Sequence, residues 1–129
     1  MKQIYEYPDF VARFYDVIYH KLRSGVDARY FLNKIMNTRG RVLEVGTGTG
    51  RFFTEALKAG ADIYGIDISK SMTDILKTRI DATEHFRVQT GDACTMRFKK
   101  KFQLIIAPFR VFSHLIDVSD QMKFLDNIW

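Results

Sequence analysis

A run of alternating glycines and threonines is the part of the sequence with the clearest chemical meaning. It reads GTGTG at residues 46–50, and it directly follows a short β-branched run at residues 41–45. Glycines at such a point let the backbone turn sharply and approach a ligand closely, and a helix that begins there offers free N–H groups. We therefore expect the loop to contact a ligand through Gly46, Thr47, Gly48 and Gly50.

Two aspartates follow the next apolar runs and suit a nucleoside. Asp67 lies in the segment GIDIS, about twenty residues beyond the loop, where a rigidly held carboxylate accepts both hydroxyls of a ribose. Asp92 lies in the segment TGDA, where its carboxylate or the backbone of Ala93 suits an exocyclic amine such as that of adenine. A structural interpretation stays open for both aspartates, because Asp is also common in turns.

The charges around the loop select among nucleoside ligands. A dinucleotide-binding loop reads GxGxxG, but Arg51 occupies the position of its third glycine. Glu44, just before the loop, would repel a pyrophosphate and attract an ammonium or sulfonium group. The pattern favours a cationic nucleoside without phosphate, such as S-adenosylmethionine, over a nicotinamide dinucleotide. The alternative for Glu44 is that it caps a neighbouring helix.

The order of the predicted elements places these residues at one edge of a sheet. Strands and helices alternate after a helical lead-in, which predicts an α/β fold with a doubly wound parallel sheet and helices on both faces. Ligands of such sheets bind at the carboxyl ends of the strands. The apolar periodicity predicts helices over residues 10–22 and 26–36, after Gly50, after an N-cap at Ser69 and from Asp120 after a cap at Ser119, and it predicts strands over residues 41–45, 62–66, 86–89 and 102–106.

Composition excludes several classes of protein. The 129 residues are 47% hydrophobic and 27% charged, which suits one globular domain rather than a disordered chain. No apolar run approaches the ~20 residues that span a bilayer, and a single cysteine excludes an internal disulfide, so we expect a cytoplasmic protein without membrane contact. The net charge of +5 does not decide the function, and we interpret the one tight basic run, at residues 99–101, as a solvated turn.

The sequence resembles the class I S-adenosylmethionine-dependent methyltransferases of the small methyltransferase-domain type. The matching segments are VLEVGTGTGR, GIDIS, TGDACTMRF, FQLIIAPFRVFSHL and DQMKFLDNIW, in this order over nearly the whole chain. The resemblance implies S-adenosylmethionine as the cofactor, a Rossmann-like core at residues 41–129 and a helical lead-in or lid at residues 1–40. It also implies contacts to the methionine amino group from Glu44, to the methionine and ribose from Gly46 and Gly48, to the ribose hydroxyls from Asp67, and to the adenine from Ile68, Asp92 and Ala93.

The resemblance further implies an enzyme that transfers a methyl group. In this family the segment after strand four faces the methyl group, and enzymes that methylate adenine or glutamine amides carry a polar residue, two prolines and an aromatic residue there. This chain has Ala107, Pro108 and Phe109, so we expect a small-molecule acceptor rather than a nucleic acid. Pro108 and Tyr15, a lid residue of the lead-in, complete the predicted cofactor contacts. No catalytic base and no metal site are assigned, because methyl transfer needs a base only when the acceptor must lose a proton.

The family's sheet has seven strands, and this sequence accounts for about four of them. We therefore expect a chain that lacks the C-terminal part of the fold and exposes strand four as a sheet edge. Such an edge favours a homodimer through Leu104, Ile105 and Ile106, or poor solubility. A non-catalytic nucleoside-cofactor binding module, or pseudoenzyme fragment, is the alternative function.

Overall fold

Four strands and flanking helices make up the part of the chain that the structure describes. This computed structural model describes residues 26–108 and 118–128. The helix predicted over residues 10–22, together with Tyr15, and the residue Phe109 lie outside the described residues. The elements are α1 (Val26–Met36), β1 (Val42–Val45), α2 (Arg51–Lys58), β2 (Ile63–Asp67), α3 (Lys70–Thr78), a 3-10 helix (Ala82–Arg87), β3 (Val88–Thr90), β4 (Leu104–Ile106) and α4 (Val118–Ile128).

The sheet has the strand order β3-β2-β1-β4, and each strand is parallel to its neighbours. β2 and β3 lie on one side of β1, and β4 lies on the other side. The strand order therefore reverses between β1 and β4, which is the position where ligands of doubly wound sheets bind. Glu44 of β1 lies opposite Gly65 of β2 and Ile106 of β4. The predicted doubly wound parallel sheet is confirmed, and Glu44, Asp67 and Asp92 lie at or near the carboxyl ends of its strands.

Successive strand residues point to opposite faces of the sheet, and two apolar clusters result. One face, termed the helix face, carries the apolar residues that pack against α1, α2 and α3: Val42, Ile63, Val88 and Ile106, in contact with Ile35, Phe53, Ala56 and Leu76. The other, termed the loop face, is covered by the segment that joins β3 to β4, and its buried residues are Leu43, Val45, Ile66 and Cys94. By its register, Glu44 belongs to the helix face.

All four strands begin later than the sequence suggested, β1 and β2 by one residue and β3 and β4 by two. Phe86 and Arg87 form the end of the 3-10 helix, where the Arg87 guanidinium donates to the Asp62 carboxylate at 2.7 Å. Phe102 precedes β4, and its ring packs edge-on against Tyr64 with 5.9 Å between the ring centroids. Phe102 is half-buried, whereas Phe86 is 56% exposed and contacts the Tyr64 ring. In the sequence both rings extend the apolar run of the strand that follows them, so each strand was predicted to begin too early.

One of the two predicted helix caps is correct, and the other is wrong. Ser69 is the N-cap of α3, and its Oγ accepts a hydrogen bond from the Met72 N–H at 3.3 Å. Ser119 is not a cap, because α4 begins at Val118 and includes it. Asp67 is the last residue of β2, one position beyond the predicted strand.

Alanine at Gly50 tests the packing beneath the glycine loop. Gly50 has a φ of +91°, and a Cβ there would lie 2.0 Å from Cδ1 of Leu76. Gly60 is the matched control, because its φ is +94° but nothing lies within 4 Å of the added Cβ. We expect Gly60→Ala to lower the free energy of unfolding by about 1–2 kcal/mol through backbone strain, and Gly50→Ala to lower it by a further ~1–3 kcal/mol through overpacking. Urea unfolding measures both losses, and equal losses would contradict the close contact with Leu76.

Candidate cofactor site at the carboxyl edge of the sheet

The glycine loop folds back against the end of β2. The Gly46 N–H donates to the carbonyl oxygen of Ile66 at 2.8 Å, and the Gly50 N–H donates to that of Thr47 at 3.1 Å. Gly46 and Gly48 have φ values of 77° and 57°, a backbone region that L side chains rarely adopt. The loop therefore reaches α2 through a tight turn that brings its backbone beside Asp67.

Asp67 connects the ends of three strands. Its Oδ2 accepts the Gly48 N–H at 2.8 Å, and its Oδ1 accepts the Ser69 N–H at 2.9 Å. Its backbone carbonyl accepts the Gly91 N–H at 2.9 Å, just after β3. A carboxylate has about four lone-pair sites, which is enough to accept ligand hydroxyls in addition to two N–H groups. Asp67 is half-buried, so part of it stays open to solvent.

Asp92 closes a turn at the end of β3. Its Oδ1 accepts the Cys94 N–H at 2.8 Å, and its carbonyl oxygen accepts the N–H groups of Thr95 and Met96 at 3.1 and 2.8 Å. The hydrogen bonds of Asp92 are therefore those of a turn residue. A binding role falls to its second carboxylate oxygen or to the backbone of the neighbouring, half-buried Ala93.

Asn127 holds this turn from α4 and was missed by sequence reasoning. Its side-chain amide donates to the carbonyl oxygens of Ala93 at 2.7 Å and Met96 at 2.6 Å. No local pattern marks an asparagine near the end of a helix as a partner of a loop 34 residues earlier. The contact fixes the backbone at one predicted adenine-binding residue.

Glu44 is a buried acidic residue near the end of β1. It is only 1% exposed, and its Oε1 has no hydrogen-bond partner among the described residues. Burial raises the pKa of Glu44 well above its usual value, and the negative charge of Asp67 raises it further. A buried carboxyl without a partner costs free energy. A ligand that brings a cation to this position would remove that cost.

The remaining predicted residues lie at the same edge or outside the described ranges. Arg51 is the first residue of α2, so a long side chain stands where a dinucleotide-binding loop has its third glycine. Ile68 is half-buried directly after β2, and Pro108 is buried just after β4. Tyr15 lies outside the described residues.

Neither a cluster of metal-ligating side chains nor a membrane-spanning helix is present in the part of the chain that the structure describes. Residues 26–108 and 118–128 contain no group of three or more His, Cys, Asp or Glu side chains that could hold a metal ion. Within the same ranges, no helix combines the length and the apolar character that crossing a membrane requires.

Comparison with known proteins identifies the family. Residues 42–129, more than half of the chain, match the methyltransferase-domain family. The chain belongs to this family. An uncharacterized methyltransferase of Bacillus mycoides is 33% identical over 78 residues, which are 60% of this chain and 35% of that protein. The matched region of this methyltransferase-domain chain thus spans about a third of the relative's length.

Solved methyltransferase structures share the fold. The CcbJ methyltransferase of Streptomyces caelestis superposes with a TM-score of 0.74 at 21% identity, over 92% of this chain and 49% of that chain. A TehB-like S-adenosylmethionine-dependent methyltransferase of Corynebacterium glutamicum superposes with a TM-score of 0.73 at 23% identity, over 94% of this chain and 66% of that chain. The predicted Rossmann-like methyltransferase fold is confirmed.

Glutamine at position 44 tests the buried carboxyl of this methyltransferase domain. Because burial raises the pKa of Glu44 in the folded chain, the folded chain keeps this proton to a higher pH than the unfolded chain, where Glu titrates at about 4.3. The contribution of Glu44 to the free energy of unfolding is therefore most favourable below the pKa of the unfolded chain. This contribution is lost as the pH rises through the pKa of the folded chain. Glutamine does not titrate, so Glu44→Gln should gain stability relative to the wild type as the pH rises, by about 1.4 kcal/mol per pH unit within that window.

Chemical denaturation of the cofactor-free protein from about pH 4 to about pH 8 measures this difference. Glu55→Gln is the matched control, because Glu55 is exposed on α2. Its stability profile should run parallel to that of the wild type. A parallel profile for Glu44→Gln as well would contradict the raised pKa.

Proposed function

We propose that this chain is the cofactor-binding part of an S-adenosylmethionine-dependent methyltransferase that acts on a small molecule. The observation that carries the proposal is the buried Glu44 carboxyl, whose Oε1 has no partner among the described residues and which lies at the end of the strand that leads into the glycine loop. A ligand with both a cation and a ribose suits Glu44 and Asp67 together. Membership of the methyltransferase-domain family supports the same ligand.

Each predicted site residue receives a role in this proposal. Glu44 accepts from the methionine ammonium, the carboxylate of Asp67 accepts from the ribose hydroxyls, and Ile68 packs against the adenine. The backbone of Gly46, Thr47, Gly48 and Gly50 lines the methionine and ribose, while Asp92 and Ala93 contact the adenine edge. Pro108 bounds the site after β4, and Tyr15 covers it from the lead-in.

Bound S-adenosylmethionine would supply the electrophilic methyl group, and the protein would contribute position and exclusion of water. The segment Ala107–Pro108 follows β4 at the point where the strand order reverses. An acceptor would therefore approach the methyl group from that side. Ala107 offers no side-chain hydrogen bond to a nucleobase or an amide, which supports a small-molecule acceptor over nucleic acid.

A nicotinamide-dependent oxidoreductase is the competing function for this fold, and two residues argue against it. Arg51 fills the position that a dinucleotide-binding loop reserves for glycine. Glu44 adds a carboxyl where a pyrophosphate would need positive or neutral surroundings.

Calorimetric titration tests the proposal with three ligands. S-adenosylhomocysteine should bind and NAD should not. Glu44→Gln should weaken S-adenosylhomocysteine about 10- to 100-fold, the value of a charge-assisted hydrogen bond, but should leave 5′-methylthioadenosine, which lacks the ammonium, nearly unchanged. Asp67→Asn should weaken both nucleosides, and Glu55→Gln neither. Binding of NAD without S-adenosylhomocysteine would overturn the proposal.

The non-catalytic binding module is the second candidate, since the roles proposed above for the site residues all serve cofactor binding. A methyl-transfer screen with radiolabelled S-adenosylmethionine and small-molecule acceptors separates the two. Incorporated label identifies an enzyme, and cofactor binding without incorporation identifies a binding module.

We also propose that two copies of this chain pair through β4. In the described sheet β4 is an edge strand that pairs only with β1, and its residues Leu104 and Ile105 are half-buried. An unpaired apolar edge favours pairing with another strand. Light scattering over a range of concentrations should give a dimer mass, and a monomer at every concentration would contradict the pairing.

A further inference from the structure

The loop face carries a second pocket that the cofactor site does not use. Its volume is about 410 Å³, and its lining includes Leu43 and four aromatic rings, which are termed the aromatic floor. Tyr64, Phe86 and Phe102 form one edge-to-face array, in which Tyr64 lies 6.2 Å from Phe86 and 5.9 Å from Phe102 between ring centroids. Phe98 extends the array, 5.6 Å from Phe102.

The pocket is separate from the proposed cofactor site. Leu43 and Tyr64 line it and lie opposite each other in the β1–β2 register, on the face that points away from Glu44. Tyr64 precedes Asp67 by three residues, which places it about 10 Å from the carboxyl edge at ~3.3 Å per strand residue. A ligand in this pocket therefore contacts other residues than a nucleoside held by the glycine loop.

Three basic side chains that line the pocket have no salt-bridge partner among the described residues. Arg97, Lys99 and Lys100 line it, and among the described residues none of the three forms a salt bridge. Arg87 also lines the pocket, but it is paired with Asp62 and Glu84. No Asp or Glu belongs to the described lining.

Lys100 is directed at the aromatic floor. Its Nζ donates to the Tyr64 hydroxyl at 2.9 Å and lies 4.6 Å from the Tyr64 ring centroid and 6.0 Å from that of Phe86. All three residues of the run 99–101 are exposed, in agreement with the predicted solvated turn, and Lys100 in addition contacts Tyr64. The lysine places its charge where a ligand on the aromatic floor would meet it.

We propose that this pocket binds a small organic anion in which a phosphate or carboxylate is attached to a flat aromatic body. The rings and Leu43 remove the body from water, and Arg97, Lys99 and Lys100 bind the anionic group. The volume is that of a small-molecule site rather than of a groove that follows a polymer. The proposal is independent of the cofactor assignment, because it uses none of the residues at the carboxyl edge.

Isothermal titration calorimetry with 1-naphthyl phosphate at low ionic strength tests the proposal. We expect saturable binding of one molecule per chain, weakened by added salt and retained when S-adenosylhomocysteine is present in excess. Lys100→Gln and Arg97→Gln should each weaken binding about 3- to 10-fold. Lys34→Gln should not, and it is a matched control because its Nζ also lies over a ring, 5.8 Å from the centroid of Tyr30, but on α1.

Four results would overturn the proposal. Inorganic phosphate or 1-naphthol binding as tightly as 1-naphthyl phosphate would reduce the pocket to a charged or an apolar patch. Displacement by S-adenosylhomocysteine would place the probe in the cofactor site. Equal weakening by Lys34→Gln would show non-specific attraction. Tighter binding of oligothymidylate, lost in the Lys100 and Arg97 variants, would assign the surface to single-stranded nucleic acid instead.

Discussion

The carboxyl edge of this sheet depends on the hydrogen bonds of one residue, Asp67. Its two carboxylate oxygens hold backbone N–H groups of the glycine loop and of the turn into α3, and its carbonyl oxygen holds the segment after β3. Three loops that belong to three different strands are thus fixed relative to one another. Without these bonds, the positive-φ backbone of Gly46 and Gly48 would have no partner at β2 beyond the carbonyl of Ile66. The site is therefore organised before any ligand arrives, which lowers the entropic cost of binding.

One electrostatically unfavourable group, the buried Glu44 carboxyl, remains at this edge of the sheet. Glu44 and Asp67 both bring a carboxyl to the same edge, and Glu44 is buried with an oxygen that has no partner among the described residues. Perturbed carboxyls of this kind concentrate at functional sites, because a ligand can relieve the cost. A cationic group of a ligand relieves the cost of the buried carboxyl most effectively. The same edge that destabilises the cofactor-free chain thus favours a ligand that carries an ammonium and a ribose.

Much of this could be predicted from the sequence, because the signals are local. The glycine loop, the apolar run of β1 and the cap at Ser69 each depend on residues within a few positions, and each was found where expected. The strand starts near Phe86 and Phe102 were wrong because each ring lies two positions before its strand, beside Tyr64, and extends the apolar run in the sequence. Asn127 was missed because it contacts a turn 34 residues earlier. The orientation of Lys100 toward Tyr64, 36 residues earlier, was missed for the same reason.

The central claim is that a ligand cation compensates the Glu44 carboxyl, and the protons exchanged on binding test it most directly. Calorimetry of S-adenosylhomocysteine binding from about pH 5 to about pH 8, in two buffers of different ionisation enthalpy at each pH, separates proton exchange from the heat of binding. Because burial raises the pKa of free Glu44 and a ligand ammonium beside it would lower that pKa again, the wild type should release up to about one proton per ligand in the window between the two pKa values, and Glu44→Gln should release none. No release from the wild type at any pH in this range, or equal release from both proteins, would contradict the account.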